Sequence, residues 1–304
     1  MGILLALVLG VGGLAGCQSG KRNAEPSPAH TTTRPSPADG IPTTPGTHRL
    51  TLNMGGLVPR SYLLHMPSRW PSAKLPLVLA MHGGFDSPNA MEARSGLDPL
   101  ADKKGFIVAY PEGTATTWNA GGCCGIAKMI HADDLGFLTK LIDKLDGTGF
   151  VDAKRVYATG FSNGAGMSYE LACHAPDKVA AVGVVEAALA IDCKPDHKVS
   201  VIIFHGTKDA NVPFNGGGHR DVDDPRPFPP VSFAVNFWRK AEGLPTLTDS
   251  KALTKTADSS ATQCQSADRD GVGVAFCKIN GGTHTWPAYA AALQWNFFAA
   301  HPQI

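Results

Sequence analysis

An excess of charge of either sign is missing from this chain. Its 27 Lys and Arg face 26 Asp and Glu, a formal net charge of +1. That leaves no basic footprint of the kind nucleic-acid binding needs. No G-x-x-x-x-G-K stretch offers a phosphate cradle, and neither C-x-x-C nor H-E-x-x-H occurs. The usual signatures of nucleotide binding and catalytic zinc are therefore absent, and neither a cofactor nor a metal is expected. There is no internal repeat. After the first sixteen residues there is no long apolar run, so nothing further along the chain is expected to cross a membrane.

The chain ends suggest a compartment. Residues 1–16 are apolar and Gly-rich, closing on Leu14-Ala15-Gly16-Cys17. This stretch is too short for a permanent span and reads as a secretory signal segment. Its ending looks like a lipobox, which predicts cleavage before Cys17 and lipidation of that thiol. No Lys or Arg precedes the apolar run, which departs from the usual basic start. The competing reading is an ordinary signal segment with a coincidental cysteine. Residues 18–46 turn to Pro, Ser, Thr, Ala and Gly, too polar to offset their ordering entropy. They are expected to form a tether reaching roughly 90 Å at ~3.1 Å per residue. The expected organisation is a signal at 1–16, a lipidated Cys and tether at 17–46, and one compact domain at 47–304. It places the domain outside the cytoplasm, secreted or lipid-anchored, with the anchor as its membrane contact.

Six cysteines remain beside Cys17. An even number in an exported chain suggests disulfides. Cys173 with Cys193 and Cys264 with Cys277 are the local pairings. Cys123 and Cys124 are left either as a vicinal bridge, which is favoured, or as two free thiols.

Strands are expected near 48–54, 58–66, 75–82, 106–110, 155–160, 179–185, 199–205 and 272–280. Helices are expected near 90–103, 133–145, 163–174, 231–241 and 288–300. The early strands lack helices between them and predict an antiparallel edge. The later alternation predicts an α/β fold, a mostly parallel sheet with helices on both faces.

Within that pattern, Gly160-Phe161-Ser162-Asn163-Gly164 has the G-x-S-x-G spacing of a nucleophile elbow, with a strand before it and a helix after it. Small flanking residues relieve crowding at such a bend, and the helix directs free N–H groups toward the Ser. A strand at 199–205 runs into Asp209, and a strand at 272–280 runs into His284. The order Ser, Asp, His is that of a strand-end catalytic triad. His219 lies in a Gly/Pro-rich loop and His301 at the C-terminus, so both rank below His284. The strand at 75–82 leads into His82-Gly83-Gly84-Phe85, whose backbone can approach an oxyanion. Asn163 is the expected first oxyanion donor. Gly84 is the expected second, with Phe85 the neighbouring alternative. Asp133 and Asp134 suit a helix N-cap and first turn rather than catalysis. Trp118, in a Gly-rich loop, and Trp286, two residues from His284, are candidates to line the substrate pocket together with Phe85. Core packing is the competing reading for both indoles, about evenly matched at Trp118. Residues 214–230 are the best lid candidate.

These motifs, with Trp118-Asn119-Ala120-Gly121-Gly122-Cys123-Cys124-Gly125, Asp133-Asp134-Leu135-Gly136-Phe137 and His284-Thr285-Trp286-Pro287, resemble the polyhydroxybutyrate depolymerase-like esterases. That family includes feruloyl and acetyl xylan esterases and secreted actinobacterial, including mycobacterial, esterase lipoproteins. The resemblance covers roughly residues 48–300. It implies an α/β-hydrolase fold and a triad of Ser162, Asp209 and His284. It also implies a serine carboxylesterase acting on feruloyl, acetyl or short hydroxyalkanoate esters, small or polysaccharide-linked. An envelope acyltransferase and a polyhydroxybutyrate depolymerase proper are the alternatives. Two departures weaken an insoluble polyester substrate: no added polymer-binding domain is expected here, and the Phe-Ser-Asn elbow is nearer the feruloyl-esterase branch. A non-catalytic binding protein and a peptidase are further readings that the intact triad and the absence of a peptide-terminus site disfavour.

Overall fold

The computed structural model describes residues 1–2, 35–56, 58–121, 123–257 and 259–304. Two units separate, Met1–His30 and Thr31–Ile304, and only the second is described below. Cys17 and most of the expected signal and tether lie outside the described residues.

Among the described residues, ten strands form one sheet: β1 (Gly46–Leu52), β2 (Arg60–Met66), β3 (Leu75–Met81), β4 (Ile107–Pro111), β5 (Val151–Phe161), β6 (Ala181–Val185), β7 (Ser200–Gly206), β8 (Thr248–Asp249), β9 (Thr262–Arg269) and β10 (Val272–Ile279). Their order across the sheet is β1-β2-β4-β3-β5-β6-β7-β10-β9-β8. From β4 through β10 every neighbouring pair is parallel, whereas β1 and β2 form the expected antiparallel edge. A second antiparallel edge, β10-β9-β8, was not expected. Strand β9, Thr-Gln-Cys-Gln-Ser-Ala-Asp-Arg, alternates buried and exposed positions with few large apolar residues, so its signal is weak.

The central strands β3, β4, β6 and β7 are buried along their whole length. That requires cover on both faces. The helices are α1 (Pro88–Ser95), α2 (Leu97–Lys104), α3 (Gly125–Met129), α4 (Asp134–Asp146), α5 (Asn163–His174), α6 (Val231–Ala241), α7 (Lys251–Ala257) and α8 (Ala290–Ala300), and all but α3 pack against strands of the sheet. Two separate apolar clusters, one holding Leu77, Ala158 and Trp238 and the other Val78, Tyr157 and Phe298, mark the two faces. The single helix expected near 90–103 is two helices, because Gly96 between them has φ 71°, a left-handed conformation that ends the first. Asp133 caps α4 by accepting from the Gly136 N–H, and buried Asp134 pairs with Arg60 at 2.7 Å. Three disulfides join described residues, Cys123–Cys124, Cys173–Cys193 and Cys264–Cys277, the last joining directly opposed residues of β9 and β10.

Candidate active site

Ser162 sits between β5 and α5 with φ 53° and ψ −120°. This left-handed turn is costly for a residue with a side chain. The neighbouring glycines make it sterically feasible. A Cβ on Gly160 would stand 2.2 Å from the Gly164 carbonyl oxygen, and one on Gly164 would stand 2.2 Å from that of His82. Both contacts are to backbone, which cannot move aside. Ser162 is further fixed by its N–H, which donates to the Val185 carbonyl at 2.9 Å.

Adjacent parallel strands deliver the partners. The Ser162 hydroxyl lies 2.8 Å from His284 Nε2, and His284 Nδ1 lies 2.7 Å from Asp209 Oδ2. His284 follows β10 and Asp209 follows β7. Asp209 Oδ1 accepts from the N–H groups of Asn211 and Val212 at 2.8 and 2.9 Å. The Asp209 side chain is buried. Burial alone would raise its pKa, but the nearby His205 ring and the hydrogen bonds from His284 and the Val212 N–H outweigh that and hold it well below the usual carboxylate range. The sequence-predicted Ser162, Asp209 and His284 are thus brought into one hydrogen-bonded line.

Asn163 opens α5, so its N–H has no acceptor inside the helix. Gly84 lies beside it: a Cβ there would stand 3.4 Å from Asn163 Cβ and 3.7 Å from Cys124 Sγ. The Asn163 side chain has a second task that sequence reasoning missed. Its oxygen accepts from the Trp118 N–H at 2.7 Å, and its amide donates to the carbonyls of Trp118 and Cys123 at 3.0 and 2.9 Å. The loop carrying the vicinal disulfide is therefore fastened to the first residue of α5.

Two spaces meet at Ser162. An open cleft of about 440 Å³ is lined by Gly83–Asp86, Arg94, both vicinal cysteines, Arg220, Phe228 and His284, among others. A small recess of about 40 Å³ opens beside it, walled by Ala120, Gly166, Ala187, Ala188, Ala190 and Phe228. Phe85, 77% exposed, lines the cleft. The other two substrate-pocket candidates need correction. Trp118 is fully buried and spends its indole N–H on the His82 carbonyl at 2.9 Å. Trp286 packs half-buried against the cluster around Phe298. Neither indole lines the cleft or the recess. Composition places an indole near a site but does not say which way it faces. Residues 214–230 supply a fixed wall rather than a free flap. Arg220 donates to the Ala190 and Pro227 carbonyls, and Lys128 pairs with Asp221 and Asp223.

Behind Asp209 lies a group the sequence did not announce. Glu186 follows β6 with φ 55° and is fully buried. Both its oxygens stand 3.0 Å from the Gly206 N–H. One atom each of Glu186, His205 and Asp209 lie close enough together to hold a cation. These donors are already engaged, however: Asp209 by His284, and His205 Nε2 by the Val212 carbonyl at 2.8 Å.

Comparison with known proteins agrees with this geometry. The family model described as esterase PHB depolymerase matches residues 60–214. A Nocardia uniformis subsp. tsuyamanensis protein named "Putative esterase NocK" is 32% identical over 75% of this chain and 71% of its own length. Feruloyl esterase B of Piromyces equi is 31% identical over 74% of this chain, which spans 42% of that relative. Among solved structures, an acetyl xylan esterase from Aspergillus awamori superposes with a TM-score of 0.58 at 16% identity. That match covers 83% of this chain and 99% of the other. A ferulic acid esterase from Anaeromyces mucronatus gives 0.52 at 14% identity, over 85% and 90%. These last two likenesses bear on the fold, which is that of the α/β-hydrolases. With a family model matched across half its length and the Ser–His–Asp line at its strand ends, the chain belongs to the esterase PHB depolymerase family of carboxylic ester hydrolases.

Proposed function

We propose that this protein hydrolyses esters of short carboxylic acids through an acyl-enzyme on Ser162. The observation that carries the reading is the hydrogen-bonded line from Asp209 through His284 to Ser162 at the meeting of recess and cleft. Ser162 Oγ attacks the ester carbonyl while His284 Nε2 takes its proton. Asp209 holds the imidazole by its Nδ1–H and stabilises the positive charge that forms. The N–H groups of Asn163 and Gly84 receive the oxyanion. His284 then returns the proton to the leaving alkoxide. A water, deprotonated by the same nitrogen, attacks the acyl-enzyme carbonyl, and the acid leaves as Ser162 regains its proton.

The recess argues for a short acyl group. At ~10–15 Å³ per water-sized occupant, its roughly 40 Å³ takes a two- to four-carbon chain and excludes an aromatic acyl group. The broad cleft, open to solvent, suits a bulky alcohol such as a sugar. Three disulfides support an oxidising, extracytoplasmic setting, and a lipid anchor at Cys17 would hold the protein at the membrane face. The purified protein is expected to cleave p-nitrophenyl acetate and butyrate much faster than methyl ferulate, and Ser162→Ala is expected to abolish all three activities. Activity that survives Ser162→Ala would overturn the mechanism, and a preference for ferulate would overturn the acyl assignment. For the anchor, Cys17→Ala should move the protein from membrane to medium; an unchanged distribution counts against lipidation.

A further inference from the structure

Four neighbouring parallel strands, β5, β6, β7 and β10, each end in a residue of one cluster. Three supply Ser162, Asp209 and His284. The fourth, β6, lies between the strands of the Ser and the Asp and supplies Glu186, which the mechanism leaves unused.

The Glu186 carboxyl is fully buried, and one of its oxygens lies within 4.8 Å of an Asp209 carboxylate oxygen. Its Oε2 is 3.5 Å from His205 Nε2, which is itself 3.4 Å from Asp209 Oδ2. That nitrogen faces the Val212 carbonyl at 2.8 Å, so it carries a hydrogen and donates it there. His205 Nδ1 is buried without a hydrogen-bond partner. The ionisable groups facing Glu186 are Asp209 and His205, from β7 and its turn, and Tyr289, just ahead of α8. His284 reaches it through Asp209. Among the described residues its ion-pair contact is with His205, and no Lys or Arg compensates it.

Two carboxylates this close in a dry interior cannot both be ionised. Asp209 has the stronger claim to the charge, because two backbone N–H groups and His284 donate to it. The proton therefore resides on Glu186, whose O–H donates to Asp209. Burial first, and then the Asp209 charge, push Glu186 up to about 9. The Gly206 N–H, 3.0 Å from both carboxyl oxygens, holds the group in place.

We propose that Glu186 is a neutral carboxylic acid that positions Asp209 for His284, and that loss of its proton sets the alkaline limit of the enzyme. Ionisation removes the donor to Asp209 and places two like charges in contact, so the His284 ring loses its fixed partner. Glu186 touches no reacting atom, and its effect falls on kcat rather than on substrate binding. The proposal rests on the triad reading above.

The test is the pH profile of kcat and KM for acetyl ester hydrolysis, corrected for spontaneous hydrolysis, in the full-length protein. The wild type should lose kcat with a midpoint near pH 9. Glu186→Gln keeps a donor and carries no charge. It should retain kcat within about threefold at pH 7.5 while the alkaline limb moves up by more than about one pH unit. Glu186→Ala should lose kcat by about tenfold or more with KM little changed. Tyr289→Phe should keep the wild-type limb. A wild-type limb in Glu186→Gln, its disappearance in Tyr289→Phe, or full kcat in Glu186→Ala would each overturn the proposal. If Glu186→Gln does not fold, infrared titration of the wild type decides. A protonated-carboxyl band that persists at pH 7 and vanishes near pH 9 supports the proposal, and no such band at pH 7 overturns it. Failure here is distinct from failure of the triad reading, because Ser162→Ala is inactive whatever Glu186 does.

Discussion

Ser162 and Glu186 stand at the ends of adjacent strands with nearly the same positive φ, 53° and 55°. One turn is written in the sequence and the other is not. Ser162 points into a cleft, and its helix must start at once beneath β3, so glycines flank it on both sides. Glu186 points into the protein between Val185 and Ala187, and no neighbouring backbone approaches closely enough to require a glycine. A strained turn that delivers a side chain to substrate leaves a steric signature. One that delivers a side chain to another side chain is held by its hydrogen bonds and leaves none.

The sharpest break in this comparison is Ser162→Ala, expected to cost on the order of 10⁴–10⁶ in kcat at unchanged stability, read by burst and steady-state kinetics. Gly164→Ala comes next. Its Cβ would meet the carbonyls of Met81 and His82, so a loss of more than about 10²-fold in activity is expected. Its thermal midpoint should also fall, consistent with about 1–3 kcal/mol of overpacking. Ala187→Gly beside Glu186 removes one methyl from the recess wall and should cost far less activity than Gly164→Ala; a loss as large as that of Gly164→Ala would erase the contrast.

How much could be read beforehand follows the same division. The triad and the parallel centre of the sheet were legible, because apolar strands ending in Gly, Asp or His carry position and chemistry together. The second antiparallel edge was not, since β9 is polar on one side and small on the other. Nor was the burial of Trp118, which depends on the distant His82 carbonyl and the Asn163 side chain.

Smaller effects sharpen the picture. Asn163→Ala strips partners from three backbone groups of the 118–123 loop. A loss of about 1–3 kcal/mol in denaturant unfolding is expected, together with a lower kcat. Ala188→Val narrows the recess and should shift selectivity from butyrate toward acetate by about tenfold in kcat/KM. A separate effect concerns Glu186 and stability. A carboxyl with a raised folded pKa contributes fully below its unfolded value near 4.5, and the contribution declines as pH rises to about 9. The thermal midpoint of Glu186→Gln should therefore gain on that of the wild type between pH 6 and 9, and a constant difference would assign the proton elsewhere.

Asn163 joins two duties in one residue, a backbone donor facing the reaction and a side chain that fastens the opposite wall. Variation at this position cannot change substrate range without also disturbing catalysis. The wall formed by Ala187, Ala188, Ala190 and Phe228 carries no such double duty. In a directed search for new ester preferences, that wall is the side of the pocket free to evolve, while the Trp118–Cys123 side is locked to the chemistry.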